Sequence, residues 1–230
     1  MTNRLDVEIE VTDRAGAARV SRYECLSELA KLVTNELVIT NVARTGFEWH
    51  ALLPRDGNLY TMGMGLVTPV AFGLAISLPD RRVIALDGDG SLLLNLGTLA
   101  TIANHACPNL ISIVFDNESY ASTGGLPTAT AGPTDIAAIA RGAGMRAIET
   151  VTSAEAFRAA AERAIGPDGP PGPWLIVAKV SSSSPRVGPK LMDGRENKFR
   201  FVRHIEATEG LTILKPSVVG RAEGGRSATR

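Results

Sequence analysis

The chain has 230 residues, 44% of them hydrophobic and 21% charged, with 24 basic and 24 acidic side chains and a formal net charge of zero. That length allows one large domain or two small ones with a sizeable core, and the composition excludes a disulfide-stapled miniprotein and a wholly disordered chain. The cancelled charge leaves no global basic field to hold nucleic acid or an anionic membrane. Cys25 and Cys107 stand far apart, outside any CxxC or Cys/His cluster, and read as buried free thiols of a reducing cytoplasm. The N-terminus shows no apolar stretch of a secretory signal. Two uncharged stretches, Gly57 to Pro79 and Gly90 to Phe115, are long enough for membrane spans. Gly, Pro, Asn and Thr interrupt both, so they read as buried segments of a soluble fold around a ligand.

Residues 5 to 11 alternate apolar and acidic, the period of a short edge strand or ribbon. Tyr23 to Val33 carries a helical stripe of Leu26, Leu29, Ala30 and Val33. Then strand and helix alternate: a strand over Leu37 to Thr40, helices over Gly46 to Leu53 and Leu66 to Leu78, and a strand over Val83 to Leu86. A helix over Leu96 to His105 precedes the strongest strand pattern, Leu110 to Phe115. Thr134 or Asp135 caps a helix running to Ala143, Ala147 to Val151 is a strand, and Ser153 opens a helix to Ile165. Trp174 to Val180 is the last strand, and Phe199 to Ile205 a last helix. Strands without polar alternation, separated by helices, predict an α/β fold: three layers, a mostly parallel six-stranded sheet with helices on both faces. The expected organisation is an extension over 1–20, one domain over 21–207 and a mobile Gly/Arg/Ser-rich tail over 208–230.

Ligands of such sheets bind at the carboxyl ends of strands. One strand there runs into Asp87-Gly88-Asp89-Gly90-Ser91, another into Asp116-Asn117-Glu118-Ser119-Tyr120, and Asp89 precedes Asn117 by 28 residues, one strand–helix–strand crossover. On neighbouring strands, a carboxylate and an amide oxygen would share one space, a hard-oxygen pair suited to Mg²⁺. Gly88 and Gly90 would let backbone N–H groups approach a phosphate at the following helix N-terminus. Taken singly, the two loops are ordinary turns; taken together at this spacing, they favour a metal–diphosphate site. A dinucleotide dehydrogenase would need GxGxxG after the first strand, and Asn41 to Gly46 lacks it.

The run GDGSLLLNLGTLATIANHACPNLISIVFDNESYASTGGLPTAT resembles thiamine diphosphate enzymes, among them the diphosphate-binding (beta) subunit of sulfopyruvate decarboxylase and the matching half of phosphonopyruvate decarboxylase. The likeness runs from about Glu24 to Ile205 and includes NLYTMGMGL, TDIAAIARGAG and SSSPRV. It implies the thiamine diphosphate-binding fold and thiamine diphosphate with Mg²⁺ as cofactors. The implied metal ligands are Asp89, Asn117 and the carbonyl of Ser119. Gly88, Gly90, Ser91 and Tyr120 would border the diphosphate, with Gly90 and Ser91 contacting it through backbone amides or the Ser91 hydroxyl. Met64, beside Gly65, would be the apolar wedge that bends the cofactor, and Asn41 and Thr45 would lie near the diphosphate.

The resemblance also implies the chemistry, loss of CO2 from a small anionic 2-oxo acid with the cofactor as electron sink. The activating glutamate of this family sits on a separate pyrimidine-binding domain, so it implies no catalytic base here and a partner (alpha-type) subunit in a hetero-oligomer, with neither nucleic acid nor membrane as partner. Sulfopyruvate, giving sulfoacetaldehyde, is the first substrate, phosphonopyruvate the next, another carboligase or lyase half a third reading, and a non-catalytic cofactor- or partner-binding domain the reading outside enzymes. Three departures accompany it. Met62-Gly63 stands where the family usually reads Gly-Ser, Leu126 replaces a glutamine of a loop facing the site, and Asp116 stands where many relatives carry Asn. Of the remaining residues, His50 lies near the first cofactor loop and could reach substrate, His105 is structural, His204 solvated or at an interface, and Arg186 a surface arginine that could meet an anionic tail or the partner.

Overall fold

Strands apolar on both faces must be covered on both faces, and the computed structural model does this with helices in two outer layers. It describes residues 19–42, 44–167, 169–185, 187–188 and 193–214. The ribbon expected over 5–11, Arg186 and the tail from 215 onward lie outside the described residues. In chain order the elements are α1 (Arg22–Ala30), β1 (Leu37–Asn41), α2 (Arg44–Leu52), β2 (Asn58–Met62), α3 (Val67–Ser77) and β3 (Val83–Gly88). Next come α4 (Asp89–Leu92), a 3₁₀ turn, α5 (Gly97–His105), β4 (Leu110–Asp116), and a small hairpin of β5 (Ser119–Tyr120) and β6 (Leu126–Pro127). The chain continues through α6 (Ile136–Gly142), β7 (Ala147–Val151), α7 (Ala154–Ile165), β8 (Trp174–Lys179) and α8 (Gly194–Glu209).

The main sheet has six parallel strands in the order β2-β1-β3-β4-β8-β7. Successive residues of one strand point to opposite layers. Leu37 and Ile39 join Val67, Ala71, Leu99, Ile136 and Phe201 under α3, α5, α6 and α8. Val38, Ile84 and Ile113 join Leu26, Trp49 and Phe157 under α1, α2 and α7. The chain goes outward from β1 to β2 and returns to β3 on the other side of β1, so the order reverses between β1 and β3. That reversal opens a crevice beyond the carboxyl ends of β1 and β3.

The three-layer parallel fold is the one expected, with three differences in detail. The sixth strand is β2, hidden in the sequence by the polar Asn58 and Thr61. It is an edge strand whose outer backbone is closed by a side chain: Tyr60 N–H donates to Asn197 Oδ1 (2.8 Å) and Asn197 Nδ2 donates to the Asn58 carbonyl (2.9 Å). The last helix is more than twice as long as predicted. Asp193 caps its start by accepting from Arg195 and Glu196 N–H, and Gly210 ends it in the left-handed region. The loop after β4 also closes into the β5–β6 hairpin, too short for any periodic signal. Cys25 and Cys107 are buried free thiols, and burial pushes Cys25 up to about 12, far from a reactive thiolate. Among the described residues no helix is long and apolar enough to cross a membrane.

Candidate functional site

A cavity of about 350 Å³ lies outside the carboxyl ends of β1, β3 and β4. Ten of the eleven expected cofactor-site residues line it: Asn41, Thr45, Met64, Gly88, Asp89, Gly90, Ser91, Asn117, Ser119 and Tyr120. Gly65 does not. It stands behind the wall at φ +77, where a side chain would be strained, with its N–H donating to Ser91 Oγ (3.0 Å) and its carbonyl accepting from Asn95 (3.1 Å). Met64 beside it projects to the cavity, 39% exposed.

β3 and β4 are direct neighbours, pairing Gly88 with Phe115, so Asp89 and Asn117 leave adjacent strand ends. Asp89 begins α4 with Gly88 as its N-cap, which leaves the first N–H groups of that turn without helical acceptors. After β4 the backbone enters the left-handed region at Glu118 (φ +59), bending the chain so that Asn117 and Ser119 face Asp89. The Asn117 amide turns its oxygen toward Asp89 Oδ1 at 3.2 Å and the Ser119 carbonyl at 2.8 Å; turned over, its nitrogen would donate to both. With the oxygen inward, it accepts from the Ser119 N–H (3.3 Å), and one carboxylate, one amide and one carbonyl oxygen converge. Such a hard-oxygen set fits Mg²⁺. The Ser119 hydroxyl, buried beside it, has no partner among the described residues. A cluster built this way contains one acidic residue, and among the described residues no group of three His, Cys, Asp or Glu converges elsewhere.

The other Asp89 oxygen, Oδ2, accepts from Thr128 Oγ1 (2.5 Å) and lies 3.1 Å from Thr130 Oγ1. Burial pushes the Asp89 carboxyl up to about 6; the Thr128 hydrogen bond opposes the shift and the like charge of Asp116 adds to it. Asp116 in turn accepts from Thr130 (2.8 Å) and from the Lys179 ammonium (2.6 Å), which also reaches Glu118 (3.2 Å). Behind them Asp87 is fully buried, and its partners among the described residues are neutral. Thr68 Oγ1 (2.8 Å) and the Gly88 N–H (2.9 Å) donate to its carboxyl, and burial raises its pKa.

Gly90 is where close approach is tightest. A Cβ there would overlap the Tyr120 ring at Cε1 and come within 2.9 Å of its Cδ1 and 3.1 Å of Thr128 Cγ2. Tyr120 is only half-buried and can swing, but only into the cavity. Gly90→Ala is therefore expected to weaken binding of a diphosphate ligand by about tenfold or more, with a Tm loss of only a few degrees, read by calorimetry and thermal unfolding. Wild-type affinity in that variant would show that the ring is not displaced into the site.

Thr128, Thr130 and Lys179 carry no sequence signal of a site role; the repeated Thr-x-Thr after Gly124-Gly125 is its only trace. Arg22 and Arg44 also line the cavity. Arg22 is committed to a two-point ion pair with the buried Glu48 (both contacts 2.8 Å), whereas Arg44 is exposed. Two placements differ from expectation, those of Leu126 and His204. His50 does not line the cavity but packs edge-on against Tyr60. Leu126 is 68% exposed on β6 and is not part of the wall, to which that loop contributes Ala121, Ser122 and Thr123. His204 meets Arg81 (3.4 Å) within the chain instead of standing in solvent. His105 is structural, edge-on to Phe72.

An open parallel sheet with a cavity of this make-up at its switch point is a doubly wound domain whose site suits an anionic, metal-linked ligand. The family model for the thiamine pyrophosphate enzyme C-terminal TPP-binding domain matches residues 43–178. The chain belongs to this family, the thiamine diphosphate enzymes. It is 34% identical to the sulfopyruvate decarboxylase subunit beta of Methanococcus maripaludis over 188 residues, 81% of this chain and 98% of that one. To the phosphonopyruvate decarboxylase of Streptomyces viridochromogenes it is 38% identical over 156 residues, 67% of this chain and only 39% of that protein. The acetolactate synthase isozyme 1 large subunit of Escherichia coli is 34% identical over 109 residues, 44% of this chain and 19% of that one.

Proposed function

We propose that this chain, through a domain over 21–207, is the diphosphate- and Mg²⁺-binding subunit of a two-component thiamine diphosphate-dependent 2-oxo acid decarboxylase. The observation that carries the reading is the convergence of the Asp89 carboxylate, the Asn117 amide and the Ser119 carbonyl at adjacent strand ends. These three would hold Mg²⁺, and the N–H groups of Gly90 and Ser91 would meet the diphosphate. Asn41, Thr45, Gly88 and Tyr120 would border it, and Met64, held by Gly65, would support the bent cofactor. The bound cofactor would supply the electron sink for decarboxylation.

The activating base would be carried by a pyrimidine-binding partner. A relative named as a beta subunit and matched over 98% of its length supports the same division. So do the apolar Val42, Met64, Leu66 and Leu94, exposed near the cavity. Sulfopyruvate, giving sulfoacetaldehyde and CO2, is the substrate that this relative's name favours, and the exposed Arg44 at the cavity offers a cation for a second anionic group. Phosphonopyruvate is the second reading, favoured by the 38% identity to its decarboxylase. The buried free thiols suit a reducing cytoplasm.

Co-expression with a pyrimidine-binding subunit, followed by assay of CO2 release from sulfopyruvate, phosphonopyruvate and pyruvate, tests the proposal. The complex is expected to prefer an acid with a second anionic group and the isolated chain to be inactive. Turnover by the isolated chain would overturn the division of the site, and equal turnover of pyruvate would overturn the substrate class.

A further inference from the structure

We propose that Thr128 and Thr130 are positioning residues of the cation site, dividing the Asp89 carboxylate so that one oxygen belongs to the protein and the other to the metal. The inference rests on the reading of Asp89 as a metal ligand. Its geometric basis is that the two oxygens of this buried side chain have different company. Oδ2 is held by the Thr128 hydroxyl at 2.5 Å, with the Thr130 hydroxyl 3.1 Å away, while Oδ1 faces the Asn117 amide, which also touches the Ser119 carbonyl. A carboxylate pinned this way offers a single oxygen to the cation, leaving room for diphosphate oxygens and water in the coordination shell. An unpinned carboxylate could rotate and present both.

The threonines suit this task by placement. A 3₁₀ turn over Ala129–Ala131 brings their hydroxyls to 2.9 Å from each other, and both side chains are buried. The turn is anchored to the ligand loop itself, because Thr128 N–H donates to the carbonyl of Glu118, the left-handed residue between Asn117 and Ser119. Each hydroxyl has one proton. Thr128 gives its proton to Asp89 at 2.5 Å, and Thr130 lies between Asp89 at 3.1 Å and Asp116 at 2.8 Å. The other oxygen of Asp116 is taken by Lys179 at 2.6 Å, and Lys179 also holds Glu118. The second carboxylate is thereby neutralised and kept from competing for the cation. Partners behind a metal ligand commonly set its orientation, and their loss costs about 10- to 100-fold in metal affinity.

The test uses the full chain with its pyrimidine-binding subunit and thiamine diphosphate, titrated with Mn²⁺ and followed by electron paramagnetic resonance. Thr128→Val and Thr130→Val keep the volume and remove the hydroxyl, and each is expected to raise the Mn²⁺ Kd by about tenfold. Thr130→Ser, which restores the hydroxyl, returns it to the wild-type value. In turnover, the Mg²⁺ concentration for half-maximal rate rises in the valine variants while kcat at saturating Mg²⁺ is regained. Wild-type Mn²⁺ affinity in both valine variants overturns the proposal. A loss in Thr130→Ser equal to that in Thr130→Val, or a kcat that saturating metal does not regain, assigns the threonines to packing and overturns it as well. Wild-type Mn²⁺ binding by Asp89→Ala, or none by the unaltered protein, removes the metal reading of Asp89 itself.

Discussion

Replacement of Asp89 by alanine is expected to abolish Mg²⁺-dependent binding of thiamine diphosphate, a loss beyond the roughly 100-fold upper range for residues that only support a metal ligand. The expected size follows from how few protein groups share the task. Asp89 contributes the one carboxylate of the three converging oxygens, and Asn117 and Ser119 bring only neutral dipoles. A diphosphate carries several negative charges into a cavity where, among the described residues, Arg44 is the exposed cation. Without the metal, the backbone amides at the start of α4 must therefore hold it almost unaided. The fold itself should survive. Alanine leaves α4 intact, removes a buried like charge beside Asp116, and keeps Thr130 within 2.8 Å of Asp116 as a partner. Calorimetry with thiamine diphosphate and Mg²⁺, alongside thermal unfolding without ligands, separates the two effects. An unchanged cofactor affinity in a folded variant would remove the metal assignment.

Asp89 and Asn117 can be paired from sequence because three short-range regularities coincide there. Each follows an apolar strand, each is a turn former, and one crossover separates them, which in a parallel sheet places their strands side by side. Gly90 can be read for the same reason, since a glycine after a strand marks a close approach. The supports of these residues cannot be read so. Thr128 and Thr130 return to Asp89 through an irregular loop and a hairpin of two-residue strands, and no periodicity encodes such a path. Lys179 reaches Asp116 only because β8 inserts between β4 and β7, a strand order that no local pattern states.

β2 carries little signal of its own because edge strands need only one apolar face, and its closing partner, Asn197, is 137 residues from Tyr60 in sequence. Chemistry in the first layer of this site is local in sequence, and the layer that orients it is not.

The same carboxylate makes the ligand-free protein less stable above neutral pH than it needs to be, and this predicts a variant of opposite sign in stability and function. Asp89 titrates near 6 in the fold against an ordinary carboxylate value of 3.8, chiefly because burial disfavours its charge. The native state therefore holds more protons than the unfolded chain between about pH 4 and pH 6, and stability from this group is fully present below that window and lost as pH rises through it. A displacement of this size corresponds to about 3 kcal/mol at its upper limit. The neutral amide of Asp89→Asn would resemble the protonated carboxyl at every pH, so this variant is expected to match wild-type stability near pH 4. At pH 7.5, without metal and cofactor, it should exceed wild type by several degrees in Tm, at about 2–4 °C per kcal/mol for a chain of this size. Added Mg²⁺ and thiamine diphosphate should reverse the order, because only the wild-type site gains their binding energy. Thermal unfolding at the two pH values, with and without ligands, measures all four quantities. A stability difference between the two proteins that does not change between pH 4 and pH 7.5 would show that Asp89 is not held protonated by the fold. The metal site would then have been formed without the cost that its burial implies.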